Sequence, residues 1–83
     1  MKVYPNPFST QFTLDYALTI SSETTIYLTN IFGQKVSVLK NNNYQEKGNY
    51  QLVMATSNLT EGIYFVVMES GGGRTIMKQV IRL

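Results

Sequence analysis

Ile63-Tyr64-Phe65-Val66-Val67-Met68 is a run of six apolar residues with no polar break. It is too short for a packed helix, and most of it is β-branched or aromatic. It therefore reads as a strand buried on both faces, or nearly so. Leu59-Thr60-Glu61-Gly62 before it and Glu69-Ser70-Gly71-Gly72-Gly73 after it are turn chemistry. A strand this apolar must lie inside a sheet, with strands beside it and a second layer over it.

The rest of the chain supplies those strands. Pro5 and Pro7 flank Asn6, lack amide donors and push their predecessors into the extended region, so residues 3–8 read as an edge piece and a turn. From Gln11 the pattern alternates. Phe12, Leu14, Tyr16, Leu18 and Ile20 fall on one side, and Gln11, Thr13, Asp15 and Thr19 on the other, as in a half-buried antiparallel strand. Ser21-Ser22-Glu23 reads as a turn, and residues 24–29 as a strand with Ile26 and Leu28 inward. Asn30-Ile31-Phe32-Gly33-Gln34 is a hairpin connection in which Gly33 supplies a positive φ, and Val36 and Val38 mark the return strand. Polar, turn-forming residues dominate 40–49, which reads as the longest loop, with Tyr44 tacked onto the core. Tyr50, Leu52 and Met54 alternate again, Thr56-Ser57-Asn58 turns, the triple glycine is a hairpin tip, and residues 75–83 are the last strand. Roughly six to seven short strands with no helical period predict an all-β, immunoglobulin/fibronectin-like antiparallel β-sandwich. The length, 83 residues, predicts a single domain over residues 1–83.

Little in the sequence points to catalysis. There is no histidine and no cysteine, which removes the commonest general base, the thiol nucleophile and most transition-metal sites. Asp15, Glu23, Glu46, Glu61 and Glu69 are scattered singly, whereas a glycosidase pair or a calcium cage needs carboxylates close together. Gly71-Gly72-Gly73 is no phosphate loop, because no Lys-Ser/Thr follows it. Asn58-Leu59-Thr60 matches a glycosylation sequon, though a turn-forming Asn is the simpler account. The expectation is a non-enzyme with no cofactor and no metal. A net charge of +2 is too small to imply nucleic acid. The first residues carry no apolar leader core, so the protein is cytoplasmic or the sequence is a piece of a longer exported chain.

The last strand carries the remaining signal. Arg74, Ile76, Lys78, Val80 and Arg82 share one face; Thr75, Met77, Gln79, Ile81 and Leu83 share the other. The two faces are about equally apolar, so the pattern leaves open which is inward. The cations can simply keep an edge strand soluble. Alternatively, residues 78–83 form a basic, partly apolar strip that a partner captures as an added strand.

Four motifs carry a family resemblance: Tyr4-Pro5-Asn6-Pro7-Phe8, Ile31-Phe32-Gly33-Gln34-Lys35-Val36, Leu59-Thr60-Glu61-Gly62-Ile63-Tyr64-Phe65-Val66-Val67, and Lys78-Gln79-Val80-Ile81-Arg82-Leu83. In this order and spacing the chain resembles the C-terminal sorting domain, type A, of the type IX (Por) secretion system of Bacteroidota. The departures are Thr60-Glu61 before the glycine, Asn30 where Asp is common, and Arg82 where Lys is common. The resemblance implies the last part of a larger secreted cargo protein. Such a label passes through the periplasm, is recognised by the outer-membrane type IX translocon, and is removed by a sortase-like signal peptidase. The cargo ends at the cell surface or outside the cell. No nucleic acid or small-molecule substrate is implied. Lys78, Gln79, Val80, Ile81, Arg82 and Leu83 would be the recognition residues, with Pro5, Asn6, Pro7, Gly33, Gly62 and Tyr64 as structural motif positions. A free backbone edge along residues 78–83 would supply hydrogen bonds, and Lys78, Val80 and Arg82 would supply selectivity. The alternative is a fibronectin-like spacer or carbohydrate-binding accessory module, for which Tyr27, Tyr44 and Tyr64 are the candidate aromatics.

Overall fold

The computed structural model describes residues 1–71 and 73–83. They form seven strands: β1 (Lys2–Tyr4), β2 (Gln11–Leu18), β3 (Ser22–Thr29), β4 (Lys35–Gln45), β5 (Gly48–Ala55), β6 (Gly62–Ser70) and β7 (Arg74–Arg82). A three-stranded sheet has the order β1-β2-β5, and a four-stranded sheet the order β4-β3-β6-β7. Every strand pairing is antiparallel. The molecule is the all-β sandwich that the alternation predicted.

Its core is the set of inward positions of the two sheets. Phe12, Leu14, Tyr16 and Leu18 of β2 meet Ile26 and Leu28 of β3, Tyr64, Val66 and Met68 of β6, and Val80 of β7. Phe8, from the segment after β1, is 1% exposed and lies edge-on to Phe12, with ring centroids 5.0 Å apart. The apolar run does lie inside the sheet, between β3 and β7, and Val66, Val67 and Met68 are buried. Ile63 is 42% exposed and Phe65 half-buried, because the opposing sheet covers only the inward face, so the run is not buried on both faces over its whole length.

Three local expectations change. Ile20 is exposed rather than inward, and the turn after β2 falls earlier, since Ser22 already belongs to β3. Residues 40–45 are not a loop but the second half of β4, laddered to β3 through Ser22↔Gln45, Glu23↔Tyr44 and Thr24↔Asn43. An edge strand tolerates Asn because one of its sides meets water, and this one accommodates the asparagines with register shifts. Asn42 sits at φ 50, where its backbone N–H donates to Thr25 Oγ1 at 3.0 Å. Tyr44 is 68% exposed, not tacked onto the core.

The two faces of β7 are now distinguished. Val80 is fully buried and Ile76 packs against the core, so the even-numbered face is the inner one. Met77 on the odd face is 58% exposed.

Candidate recognition site

The segment Pro5-Asn6-Pro7-Phe8 lies along the outer edge of β7. Its two prolines cannot donate from their nitrogens, so the backbone bonds fall to Phe8 and the side-chain bonds to Asn6. Asn6 Nδ2 donates to the Gln79 carbonyl at 3.0 Å, and Asn6 Oδ1 accepts from the Ile81 N–H at 3.0 Å. The Asn6 amide thus imitates a backbone partner. One residue pair further on, Phe8 N–H donates to Ile81 O at 2.8 Å and Leu83 N–H to Phe8 O at 2.9 Å. Phe8 and Arg82 form a parallel bridge there. The motifs that stand farthest apart in the sequence are therefore neighbours in space.

Arg82 is turned inward along the same corner. Its Nε donates to Thr56 O at 3.1 Å and its Nη1 to Leu83 O at 2.9 Å. Thr56, fully buried, donates from Oγ1 to Ser9 O at 3.1 Å and from its N–H to Thr10 O at 2.9 Å. Arg82, the turn at Thr56 and the chain after Phe8 are thus tied into one corner. Tyr64 completes the neighbouring turn: its hydroxyl donates to Thr60 O at 2.7 Å and lies 3.2 Å from Thr60 Oγ1. A tyrosine reaching back to the backbone ahead of its strand is a recurrent corner device of immunoglobulin-like sandwiches.

Among the six expected recognition residues, the roles divide. The Val80 side chain is buried and belongs to the core. Arg82 is half-buried and donates to the Thr56 carbonyl and to the adjacent Leu83 oxygen. The Ile81 backbone is engaged on both its groups by Asn6 and Phe8. The backbone edge expected to be free along 78–83 is thus occupied from within the chain from the Gln79 carbonyl to the Leu83 N–H. Lys78, Gln79 and Leu83 keep exposed side chains. Phe8, part of the opening motif but not of the expected site residues, and Thr56, expected only in a turn, anchor the corner. Thr56 carries no signal of this in the sequence, whereas an aromatic directly after Pro-x-Pro could have drawn notice as an anchor.

Of the structural positions, Gly33 lies in a turn and Gly62 and Tyr64 at the start of β6. Gly33 has φ 80 in the β3–β4 hairpin, and Gly62 has φ 145 at the start of β6. The hairpin is cinched by Asn30, whose Oδ1 accepts from Phe32 N–H at 2.9 Å and Gln34 N–H at 3.1 Å. Tyr4, just before Pro5, donates to Asp15 Oδ2 at 3.0 Å while Gln51 Nε2 donates to the Tyr4 oxygen at 3.1 Å. The Asp15 hydrogen bond, with burial and the carboxylate's charge, pushes the Tyr4 phenol up, and the Gln51 bond opposes it. Of the three tyrosines considered for a glycan platform, Tyr64 is buried, Tyr27 is half-buried with Lys35 Nζ 4.4 Å from its ring centroid, and Tyr44 stands on the edge strand. They do not form one surface.

A search among curated proteins finds no match. The family described as the secretion system C-terminal sorting domain matches residues 2–82, nearly the whole chain. With that span, on a two-sheet all-β fold with its Pro-Asn-Pro segment docked on the last strand, the chain belongs to the type IX secretion C-terminal sorting domains.

Proposed function

We propose that this domain is a non-catalytic export label, read by the outer-membrane type IX translocon through the exposed side chains of β7 and its continuation, chiefly Lys78, Gln79 and Leu83. A sortase-like peptidase then separates it from its cargo. The carrying observation is the docking of Asn6 and Phe8 on β7. It holds the candidate recognition strand rigid, which lowers the ordering cost of binding. It also sets the recognised strand beside the segment through which cargo would join. A receptor on β7 would therefore sit next to the cleavage region. Residues 2–4 are paired with β2 in the sheet, and a peptidase needs an extended unpaired substrate, so cleavage falls upstream of Lys2. The exposed Lys78 ammonium favours an acidic receptor groove, which speeds encounter more than it tightens binding.

Deleting residues 78–83 would be a poor test. It removes Val80 from the core and the Arg82 tie to Thr56, so failed export could mean a failed fold. The better experiment carries Lys78→Glu together with Leu83→Asp in a reporter fused to this domain and its native upstream linker, in a type IX secreting strain. The expected result is a reporter retained in the periplasm by a domain whose melting temperature is unchanged. Export at the normal level would overturn the reading.

A further inference from the structure

The outer edge of β7 is divided into a covered half and an open half. The bonds from Asn6 and Phe8 reach Gln79 O, both backbone groups of Ile81, and Leu83 N–H. Odd-numbered residues of β7 therefore turn their backbone groups away from β6. An antiparallel ladder alternates strictly, so Thr75 and Met77 turn both groups outward too, as does the Gln79 N–H. The four-stranded sheet ends at β7, and among the described residues the only chain bridging this edge does so at Phe8. Two donors and two acceptors from Thr75 and Met77, with the Gln79 donor, stand in a row of roughly 13 Å.

Edges of this kind are normally blunted by bulges, prolines or charges. The opposite edge of the sheet follows that rule, since β4 carries several register shifts and the positive φ of Asn42. β7 carries cations but no bulge or proline, and runs in unbroken register from Gly62↔Arg82 to Ser70↔Arg74. Its open half is flanked by Arg74 and Lys78, both exposed and on one face. The other face offers Met77, 58% exposed, and Glu69 across from Thr75.

We propose that residues 74–78 are a strand-addition site for an extended acidic segment of a partner protein. Carboxylates four residues apart would meet Arg74 and Lys78 on one face, and an apolar side chain between them would lie beside Met77 on the other. Asn6 is the end stop that fixes the register of the added strand. The charge pattern selects the face, because Glu69 disfavours acid on the Met77 side. The proposal rests on the export reading only in taking the partner from the secretion machinery; the docking itself is independent of it.

The test uses the 83-residue chain and an acetylated Val-Glu-Val-Thr-Val-Glu-Val peptide, with its Lys-for-Glu counterpart as control. At saturating acidic peptide, amide exchange at Thr75, Met77 and Gln79 is expected to slow by about tenfold. The lysine peptide should have no such effect. Met77→Pro removes an outward N–H without touching the β6 ladder, and it should abolish the protection. Arg74→Glu with Lys78→Glu keeps the backbone intact and should reverse the preference between the two peptides. Protection elsewhere on the fold, or equal protection by both peptides, would overturn the proposal. Concentration-dependent protection without peptide would overturn it as well, making the occupant a second copy of the chain. If peptide docking holds while Met77→Pro is exported normally, strand addition stands and its link to export falls. If docking fails while the Lys78/Leu83 variant is still retained, the export reading survives alone.

Discussion

Replacing Asn6 with Ala tests whether a single side chain closes the sandwich against β7. The substitution deletes two hydrogen bonds, to Gln79 O and from Ile81 N–H, both 3.0 Å long. A typical intramolecular hydrogen bond contributes about 0.5–1.5 kcal/mol net, and these lie at the surface, where water replaces the lost partner. The low half of that range applies, so the expected loss is ~1–2 kcal/mol in total. For a domain of this size that is a fall in Tm of about 4–16 °C. The chain has no tryptophan and six tyrosines, so urea unfolding is followed by tyrosine fluorescence, with hydrogen exchange of the Ile81 amide as the local readout. Exchange at Ile81 should rise more than at core amides such as Val66. Asn6→Asp sharpens the test. It keeps the acceptor for Ile81 N–H but sets a carboxylate against the Gln79 carbonyl. At neutral pH it should cost at least as much as Ala. A protonated Asp can donate to Gln79 O, which raises its folded-state pKa, so part of the loss should return as pH falls through that raised value, the recovery being complete once pH is below the ordinary carboxylate value. An Ala variant within ~0.3 kcal/mol of wild type would refute the reasoning, because this side chain would then contribute nothing net. So would a wild-type Ile81 amide that already exchanges freely.

Phe8→Ala empties a fully buried aromatic site beside Phe12 and should cost about 3–5 kcal/mol, measured by urea unfolding, which is a large part of a small domain's stability. Tyr64→Phe removes the donor to Thr60 O and should cost about 1–2 kcal/mol in the same assay, with no change of fold by circular dichroism. Gly33→Ala meets no neighbouring atom but must hold φ 80, so it should lose roughly 1–2 kcal/mol of stability, seen as a lower urea midpoint. Three phenols are pushed up in the folded state: Tyr16 by burial, with its Gln45 bond opposing, Tyr27 by burial and then Glu69, and Tyr4 by its Asp15 bond. Raised folded values mean that the folded chain holds protons the unfolded chain would release. This stabilisation is complete below the ordinary phenol value of 10.0 and is lost as pH climbs above it. Alkaline unfolding should therefore steepen in that window, and Tyr16→Phe should flatten it; no flattening would count against the burial argument.

The strands that carry a clean apolar alternation were legible from the residues. Phe12, Leu14, Tyr16 and Leu18 all point inward, as do Ile26 and Leu28. Residues 40–45 read as loop because Asn favours turns and the stretch is polar, whereas their strand is fixed by a neighbour, β3, remote from local propensity. The inner face of β7 was undecidable because Ile76 and Val80 on one side balance Met77 and Ile81 on the other; only the position of the opposing sheet breaks the tie. The corner around Arg82 was hidden for a similar reason. A cation on a strand reads as soluble or as a handle for partners, and nothing local reveals that Thr56 presents it with a carbonyl. The Pro-Asn-Pro segment announced stiffness, but its target lies 73 and 75 residues away in the chain.

That separation has a consequence for the timing of folding. The bonds from Asn6 cannot form until Gln79 and Ile81 have been synthesised and have left whatever channel delivers the chain. Long-range closures of this kind come late in folding, after the local hairpins. A nascent chain interrupted anywhere before these residues would display hairpins and an unclosed corner but no finished badge.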